Sequence, residues 1–182
     1  FADGSIWSTD DLKEKARYYY GGEENDLITG YNSFVNAPTL EEDYIYGGAG
    51  NDTIYGNEGN DELHGEAGTD TLNGGNGDDL LEGGSGNDIL SGNSGDDTYI
   101  FNVGDGQDII RENGDGADRI VFGEGISEED IRVSRDTWNL YLTNQESGDR
   151  ITVEKFFDHT NFQVEKVEFA DGSIWSTDDL KD

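Results

Sequence analysis

The chain has 182 residues, 42 of them acidic and 11 basic, and a formal net charge of −31. This excess of carboxylates argues against nucleic acid and anionic membranes as partners, because both require clustered Lys and Arg. Cysteine is absent, which excludes disulfides and thiolate chemistry, and no apolar run approaches the roughly 18 residues of a membrane helix. The acidity fits either a halophile-like solvated surface or a protein that binds cations.

The two ends of the chain share one segment. Residues 1–13, FADGSIWSTDDLK, recur letter for letter as residues 169–181. A match of this length predicts a tandem array with a period near 168 residues, cut so that both ends keep the same junction. Neighbouring tandem copies are therefore expected partners, and an artificially duplicated end is the alternative. No signal-peptide pattern opens the chain, so a cytosolic protein, export without such a signal and a fragment stay open.

The first element is a predicted helix over Ser8–Tyr20. Ser8 with Asp11 three residues later has the shape of a capping box, and Gly21-Gly22 would end the helix. Residues 1–20 are therefore expected to form an N-terminal junction of strand plus helix.

A nine-residue period follows. Six contiguous units cover 47–55, 56–64, 65–73, 74–82, 83–91 and 92–100. Each has Gly at its first and fourth positions and one apolar residue at its eighth: Ile54, Leu63, Leu72, Leu81, Leu90 and Tyr99. The sixth positions are Asp52, Asp61, Asp70, Asp79, Asp88 and Asp97. A short fixed period is typical of a solenoid.

Each unit predicts a six-residue turn and a three-residue strand. The glycines would supply the positive φ angles of a tight turn, and the middle residue of the strand would point inward. Two units then complete one coil of 18 residues, so that each unit stacks on the next but one, about 4.8 Å away.

This stacking brings carboxylates together. Charges at that spacing repel by roughly 3 kcal/mol at an effective dielectric constant of 20. One apolar side chain per unit is too little to offset a backbone entropy cost of about 1–2 kcal/mol per residue. Calcium accepts 6–8 oxygen ligands in flexible geometry, so Ca²⁺ between successive turns would remove the repulsion. Asx-type turn bonding without a metal is the structural alternative.

Irregular units extend the predicted roll to residues 21–122. Gly21–Thr29 keeps Asp26, and Gly30–Tyr46 carries an eight-residue insertion before Asp43. Asp108 and Asp118 follow the regular units. We expect four calcium positions between regular units and up to about eight in all, between the pairs Asp26/Asp52, Asp43/Asp61, Asp52/Asp70, Asp61/Asp79, Asp70/Asp88, Asp79/Asp97, Asp88/Asp108 and Asp97/Asp118.

Glycine becomes less frequent after Phe122. Longer alternating segments over residues 123–182 predict a small antiparallel β cap with turns at Glu146–Asp149 and Asp171-Gly172. Aromatic residues either cover the open ends of the solenoid or form a partner or glycan surface: Trp7, Trp138, Trp175, Phe156, Phe157 and Tyr18–Tyr20.

These units resemble the repeats-in-toxin (RTX) family, and the terminal segment resembles the cap that often follows such repeats. The resemblance implies an all-β fold: a right-handed parallel β-roll flanked by the short helix and the cap. It implies that each calcium ion lies between two stacked turns. One turn would provide the backbone carbonyls of its positions one, three and five. The turn stacked on it would provide the carbonyls of positions two and four and the Asp carboxylate. Gly47, Ala49 and Asn51 would thus face Glu66, Gly68 and Asp70. The further carbonyl ligands would be Gly56, Glu58, Asn60, Gly65, Ala67, Thr69, Gly74, Gly75, Asn76, Gly77, Asp78, Gly83, Gly84, Gly86, Asn93 and Gly95.

The resemblance also implies a function. It suggests a calcium-dependent folding module of a large secreted bacterial protein, a toxin or an adhesin, that folds outside the cell after type I-like export. The alternative is a calcium-stabilised module that binds a polysaccharide or a protein through the Tyr31–Glu42 insertion or the cap. An enzyme is not expected, because no nucleophile–base pattern occurs, and His64 and His159 are too few for an ordinary zinc site. His64 lies at an outward position and is expected to be exposed.

Overall fold

The structure is a computed structural model that describes residues 18–29, 42–159 and 163–181. In this part of the chain all regular elements are strands, so the predicted all-β class is confirmed. The strands are β1 (Tyr18–Tyr20), β2 (Leu27–Thr29), β3 (Tyr44–Ala49), β4 (Thr53–Glu58), β5 (Glu62–Gly68), β6 (Thr71–Asn76), β7 (Leu80–Gly86), β8 (Ile89–Ser94), β9 (Thr98–Phe101), β10 (Gln107–Ile110), β11 (Arg119–Phe122), β12 (Ile131–Arg135), β13 (Leu140–Asn144), β14 (Arg150–Val153), β15 (Lys166–Glu168) and β16 (Ile174–Ser176). No helix among these residues is long and apolar enough to cross a membrane.

The strands form two eight-stranded sheets, between which β1 to β11 alternate along the chain. One sheet has the order β1-β3-β5-β7-β9-β11-β15-β16, and the other has the order β12-β13-β14-β10-β8-β6-β4-β2. Within the roll, neighbouring strands are parallel, and Ile54 pairs with Leu72, which pairs with Leu90. The predicted coil of two nine-residue units is confirmed.

The strands of the regular units are longer than the three residues predicted. β4 runs through the first three positions of the following unit, and Asn57 still pairs with Gly75 there. Turns stacked 18 residues apart also bond directly, as when Gly59 N–H donates to the carbonyl of Asn76 at 3.0 Å. The backbone ladder thus continues into the turns.

The predicted helix is wrong at its C-terminal end. Tyr18–Tyr20 forms β1 and pairs in parallel with Tyr44–Tyr46. The rings of Tyr20 and Tyr46 stack with centroids 5.3 Å apart, and aromatic residues favour such cross-strand pairing over a helix. The rest of the predicted helix and most of the Tyr31–Glu42 insertion lie outside the described residues.

The core of the roll is a double row of single side chains. Every eighth-position residue of the regular units, from Ile54 to Tyr99, is completely buried. Ile45, Ile110 and Ile120 continue the two rows at either end. Since each nine-residue unit adds only one such side chain, this core is thin.

The cap extends both sheets of the roll. β14 pairs in parallel with β10, and β15 pairs in parallel with β11. The antiparallel pairs lie beyond these strands, between β12, β13 and β14 and between β15 and β16. Of the cap aromatics, Phe156 is completely buried, Trp175 packs edge-on against Phe169, and Trp138 is 55% exposed. The cap therefore covers the end of the roll with a larger apolar core.

Candidate metal centres between the turns

Two rows of aspartates line the two edges of the roll. Asp26, Asp52, Asp70, Asp88 and Asp108 form one row, and Asp43, Asp61, Asp79, Asp97 and Asp118 form the other. All except Asp26 are at most 5% exposed. A buried row of carboxylates without compensation is strongly unfavourable, so these rows require partners.

One hydrogen bond repeats along both rows. The backbone N–H of Asp52 donates to Oδ1 of Asp70 at 2.7 Å, and Asp61 N–H donates to Oδ1 of Asp79 at 2.8 Å. The same bond joins the other six predicted pairs, with N···O distances between 2.7 and 2.9 Å. The structure therefore brings together all eight pairs of aspartates, including those in irregular units.

The second carboxylate oxygen is different. In the six regular units Oδ2 is buried and has no hydrogen-bond partner among the described residues: Asp52, Asp61, Asp70, Asp79, Asp88 and Asp97. Buried polar atoms are nearly always bonded to protein, water or an ion. A row of unpartnered anionic oxygens matches what a divalent cation would bind, so the donor set fits calcium.

Burial of the aspartate carboxylates raises their pKa values. Burial raises the pKa of Asp61 to about 6, of Asp88 and Asp97 to about 7, and of Asp79 to about 8. For Asp79 the backbone hydrogen bond to Asp61 opposes this increase, whereas the charges of Asp97 and Asp61 add to it. Without a cation, therefore, ionising these buried carboxylates is less favourable than ionising an aspartate in water.

Backbone carbonyls line the same gaps. Between units 56–64 and 74–82, a Cβ on Gly56 would lie 2.7 Å from the carbonyl oxygen of Gly74 and would also collide with Asp61 Oδ2. The carbonyl of Asn76 points into this gap as well, toward Gly59 N–H. From the earlier unit, the carbonyls of Asn57 and Gly59 point toward Gly75 and Gly77. Four carbonyl oxygens and the carboxylates of Asp61 and Asp79 thus border one gap.

The expected ligand assignment stays a prediction. The resemblance implied that Gly56, Glu58 and Asn60 would face Gly75, Gly77 and Asp79. The carbonyls that border this gap are the first and third of the later turn and the second and fourth of the earlier turn, beside Oδ2 of Asp61.

The turn glycines also differ from prediction. Positive φ occurs at the fourth position, as in Gly59 (130°), and at the second, as in Gly75 (125°), but not at the first. Three units hold a non-glycine residue at the second position with positive φ: Asn57, Glu66 and Asn93. Glycine is required at the first position for another reason, because a Cβ on Gly65 would lie 2.5 Å from both Asp70 Oδ2 and the Gly83 carbonyl.

A second side-chain ladder runs through the fifth positions. Oδ1 of Asn51 accepts a hydrogen bond from Thr69 N–H at 2.9 Å, and Oδ1 of Asp78 accepts one from Asp96 N–H at 2.9 Å. Asn or Asp at this position therefore joins stacked turns through its side chain.

Several functional candidates were missed by the sequence analysis. Oε2 of Glu165 accepts the N–H of Asp118 at 2.8 Å and so continues one aspartate row into the cap. The sequence signal is a carboxylate two residues before the buried Val167, the spacing that the repeats use. At the end of the other row, Asp149 accepts hydrogen bonds from Gly104 N–H and Gly106 N–H. Glu112, which is 4% exposed, lies outside both rows and has no sequence signal.

His64 is not simply exposed, as had been expected. Its ring stacks on Tyr46 with centroids 4.8 Å apart, and its nitrogens contact Glu62 and Glu82 at 2.8 and 2.9 Å. The hydrogen bond to Glu82 is the largest of the effects that raise the pKa of His64. The ring therefore bridges two acidic side chains on the outer face of its sheet.

The carboxylates are spread along the roll. Within residues 18–29, 42–159 and 163–181, no three His, Cys, Asp or Glu side chains gather into a metal-binding cluster. Each cation position would therefore rely on stacked aspartates and backbone carbonyls.

Comparison with known proteins agrees with this geometry. The RTX calcium-binding nonapeptide repeat (4 copies) matches residues 40–72, 64–99 and 73–110. The haemolysin-type calcium binding protein related domain matches residues 139–179. Residues 40–110 therefore match RTX calcium-binding repeats, and residues 139–179 match the haemolysin-type related domain.

A solved structure is also similar: the solution structure of the AlgE6R3 subunit from the Azotobacter vinelandii mannuronan C5-epimerase. It is 25% identical in sequence, the match covers 82% of this chain and 81% of that one, and the TM-score is 0.41. No curated protein matches the chain.

Proposed function

We propose that the chain is a calcium-dependent folding module of a large secreted bacterial tandem-repeat protein, a toxin or an adhesin. Its parts would be a junction over residues 1–20, a calcium-binding roll over 21–122 and a cap over 123–182. The observation that supports this proposal is the buried row of Asp Oδ2 atoms without hydrogen-bond partners.

The thin core supports a dependence on metal. Burying one Leu or Ile stabilises a unit by about 1.5–3 kcal/mol. Ordering its nine backbone residues opposes folding by more than one such side chain offsets. The aspartate rows add repulsion to this deficit. Hence the metal-free roll is expected to be unfolded.

The donor set favours calcium over magnesium. Each gap offers backbone carbonyls and carboxylates from two rigid turns. Calcium tolerates six to eight such oxygens at varied angles, whereas magnesium requires a near-ideal octahedron and retains its water. Calcium bound in a gap would supply the positive charge that the stacked carboxylates lack. We expect several ions, about eight if every aspartate pair holds one.

The same dependence on calcium supports a proposal of secretion. The net charge of −31 keeps a calcium-free chain expanded. Extracellular calcium modules bind with dissociation constants of about 10⁻⁴–10⁻³ M, far above cytosolic calcium. The chain would leave the cell unfolded by a type I-like route and fold outside by mass action. Neighbouring tandem copies would be its partners.

Far-UV circular dichroism during a calcium titration tests this proposal. The starting point is chelated protein, and magnesium is the control. A cooperative coil-to-β transition near millimolar calcium, absent with magnesium, is expected. A β spectrum unchanged by chelator would refute calcium-dependent folding.

A second candidate function is polysaccharide or protein binding on the folded roll. The supporting observation is a stacked row of rings on one sheet face, Tyr20 on Tyr46 and Tyr46 on His64, with Tyr20 71% exposed. Flat aromatic rings are suitable stacking surfaces for sugars. Tyr20→Ala should then weaken polysaccharide binding in calcium, whereas Tyr55→Ala, on the other sheet, should not. Equal binding by both variants would reject this face.

A further inference from the structure

The last segment of the chain, residues 169–181, is an integral part of the cap. Its strand β16 pairs antiparallel with β15, and Trp175 lies opposite the buried Val167. Leu180, in the turn that follows, is also buried. Residues 1–13, which have the same sequence, lie outside the described residues. In the tandem array proposed above, they would be the end of the cap of the preceding copy.

This assignment leaves a short connection between copies. Only residues 14–17 separate the repeated segment from β1. The chain from Lys13 to Tyr18 can therefore span at most about 18 Å. The end of one cap is held within this distance of the first strand of the next roll, which gives the two a high effective concentration for contact.

The strands at the two ends of this connection are edge strands of the same sheet. The strand order of that sheet begins with β1 and ends with β16, so each has one unpaired edge among the described strands. Both strands also expose large apolar side chains, Tyr18 and Tyr20 in β1 and Ile174 in β16. Exposed apolar edge strands are templates for pairing with another strand.

The two edge strands match in the direction of their side chains. Tyr19, the middle residue of β1, is half-buried against the core and pairs with the buried Ile45. Trp175, the middle residue of β16, is likewise half-buried against the core. Placing Trp175 opposite Tyr19 in antiparallel order joins the inward rows of two copies. It also sets the exposed Ile174 opposite the exposed Tyr20.

The strand directions and the sheet ends also agree. β15 is parallel to β11 and antiparallel to β16, so a strand antiparallel to β16 has the direction of the strands of the roll. Beyond β11 the first sheet has two cap strands, and beyond β10 the second sheet has three. The second sheet therefore ends half a coil beyond the first. β2 follows β1 by the same half coil, so both sheets can continue into the next copy without a gap.

Charges at the ends of the second sheet are complementary. Its last strand, β12, carries the exposed Arg132, and the turn before β2 carries the exposed Glu23 and Glu24. Opposite charges favour contact between the cap of one copy and the N-terminal end of the next over contact between like ends.

We propose that successive copies join end to end through continuous sheets, in which Ile174–Ser176 of one copy pairs antiparallel with Tyr18–Tyr20 of the next. The inference rests on the tandem organisation in the proposed function. With eight strands in each sheet and about 4.8 Å between strands, each copy adds about 38 Å to one straight rod. The junction thus sets the reach of the array and covers its sheet edges.

Disulfide formation in a chain of two copies, residues 1–181 followed by a second 14–181, tests the junction. The protein has no cysteine, so an introduced pair reports only its own contact. Ile174→Cys in the first copy and Tyr20→Cys in the second should oxidise in calcium at least about tenfold faster than Ile174→Cys with Thr29→Cys, because directly opposite residues approach disulfide distance. Thr29, exposed on the edge strand of the other sheet, is the matched control. Equal oxidation rates for the two pairs would overturn the inference.

Two further measurements on the two-copy chain separate the possible causes. If calcium induces no β spectrum, the proposed function fails and the junction fails with it; if it does and the two cysteine pairs oxidise equally, only the junction fails. Small-angle X-ray scattering of the cysteine-free chain in calcium requires no substitution. We expect one rod about 77 Å long, twice the length of a single copy. Two bodies at variable distance from each other would contradict the continuous sheets.

Discussion

Asp70→Asn is predicted to lower the stability of the folded roll in the presence of calcium but not in its absence. Asp70 is completely buried; its Oδ1 accepts Asp52 N–H, and its Oδ2 has no hydrogen-bond partner among the described residues. Asparagine keeps the shape and the Oδ1 acceptor but places an NH₂ group where Oδ2 stands. The substitution therefore removes a charge with little change in packing.

The magnitude follows from the position of Asp70 in its row. It borders two gaps, toward Asp52 and toward Asp88. If each loses about tenfold in calcium affinity, the calcium-saturated roll loses about 3 kcal/mol of unfolding free energy. Asp26 borders one gap and is half-buried, so Asp26→Asn should cost about half as much. In chelator there is no bound calcium to lose. Asp70→Asn then removes the charge repulsion with Asp52 and with Asp88, at most about 3 kcal/mol for each pair.

Urea denaturation followed by circular dichroism measures both effects. In saturating calcium the unfolding midpoint should fall for both variants, and further for Asp70→Asn. In chelator, the β signal of Asp70→Asn should be equal to or larger than that of the wild type. If Asp70→Asn and Asp26→Asn lower the unfolding midpoint equally in calcium, the inference that Asp70 contributes to two calcium positions is refuted.

The remaining predictions concern pH and the turn backbone. In chelator the pKa values of Asp79 and Asp108 in the folded chain are about 8, above the value near 4 in the unfolded chain. The stability that these two residues contribute is therefore complete below pH 4 and is lost as the pH rises through 8. Circular dichroism of calcium-free protein should show more β structure at pH 4 than at pH 9, and a pH-independent spectrum would contradict this. Gly65→Ala should destabilise the calcium-bound roll by about 2 kcal/mol or more, because its Cβ would meet Asp70 Oδ2 and the Gly83 carbonyl. Gly22→Ala, whose Cβ has no neighbour closer than 4.0 Å, is the control, and equal melting temperatures would refute the crowding argument. Glu66→Gly should stabilise the bound roll by about 1 kcal/mol, since Glu66 has a φ of 74°; a lower melting temperature would contradict this.

The periodic part of the fold could be predicted from sequence because one repeated pattern fixes it. A carboxylate every nine residues and an apolar residue two positions later determine which residues stack, even where the unit is irregular. Asp108 and Asp118 stack on Asp88 and Asp97 although their separations are 20 and 21 residues instead of 18. The Asp–x–aliphatic spacing therefore tolerates insertions in the turn.

The direction of individual peptide groups could not be predicted in this way. Positive φ was expected at the first glycine and occurs at the second position, where Asn57, Glu66 and Asn93 also adopt it. A glycine can reflect backbone conformation or crowding by a neighbour, and the sequence does not distinguish the two.

Non-periodic residues were missed for a different reason. Glu112 and Glu165 belong to no nonapeptide: Glu165 shows only the carboxylate–x–apolar spacing, and the three-dimensional register is what places it beside Asp118. Tyr18–Tyr20 forms a strand because Tyr44–Tyr46, 26 residues later, provides stacking partners. Local helix signals could not reveal that distant contact.

Amide hydrogen exchange of the roll with and without calcium tests the central claim most directly. The amides of Asp52, Asp61, Asp70 and Asp79, each bonded to the carboxylate of the next coil, report the stacking itself. The account predicts strong protection of these amides in millimolar calcium and exchange near the random-coil rate in chelator or in magnesium alone. Equal protection in chelator would show that the thin apolar core holds the roll together without metal, and would contradict the account.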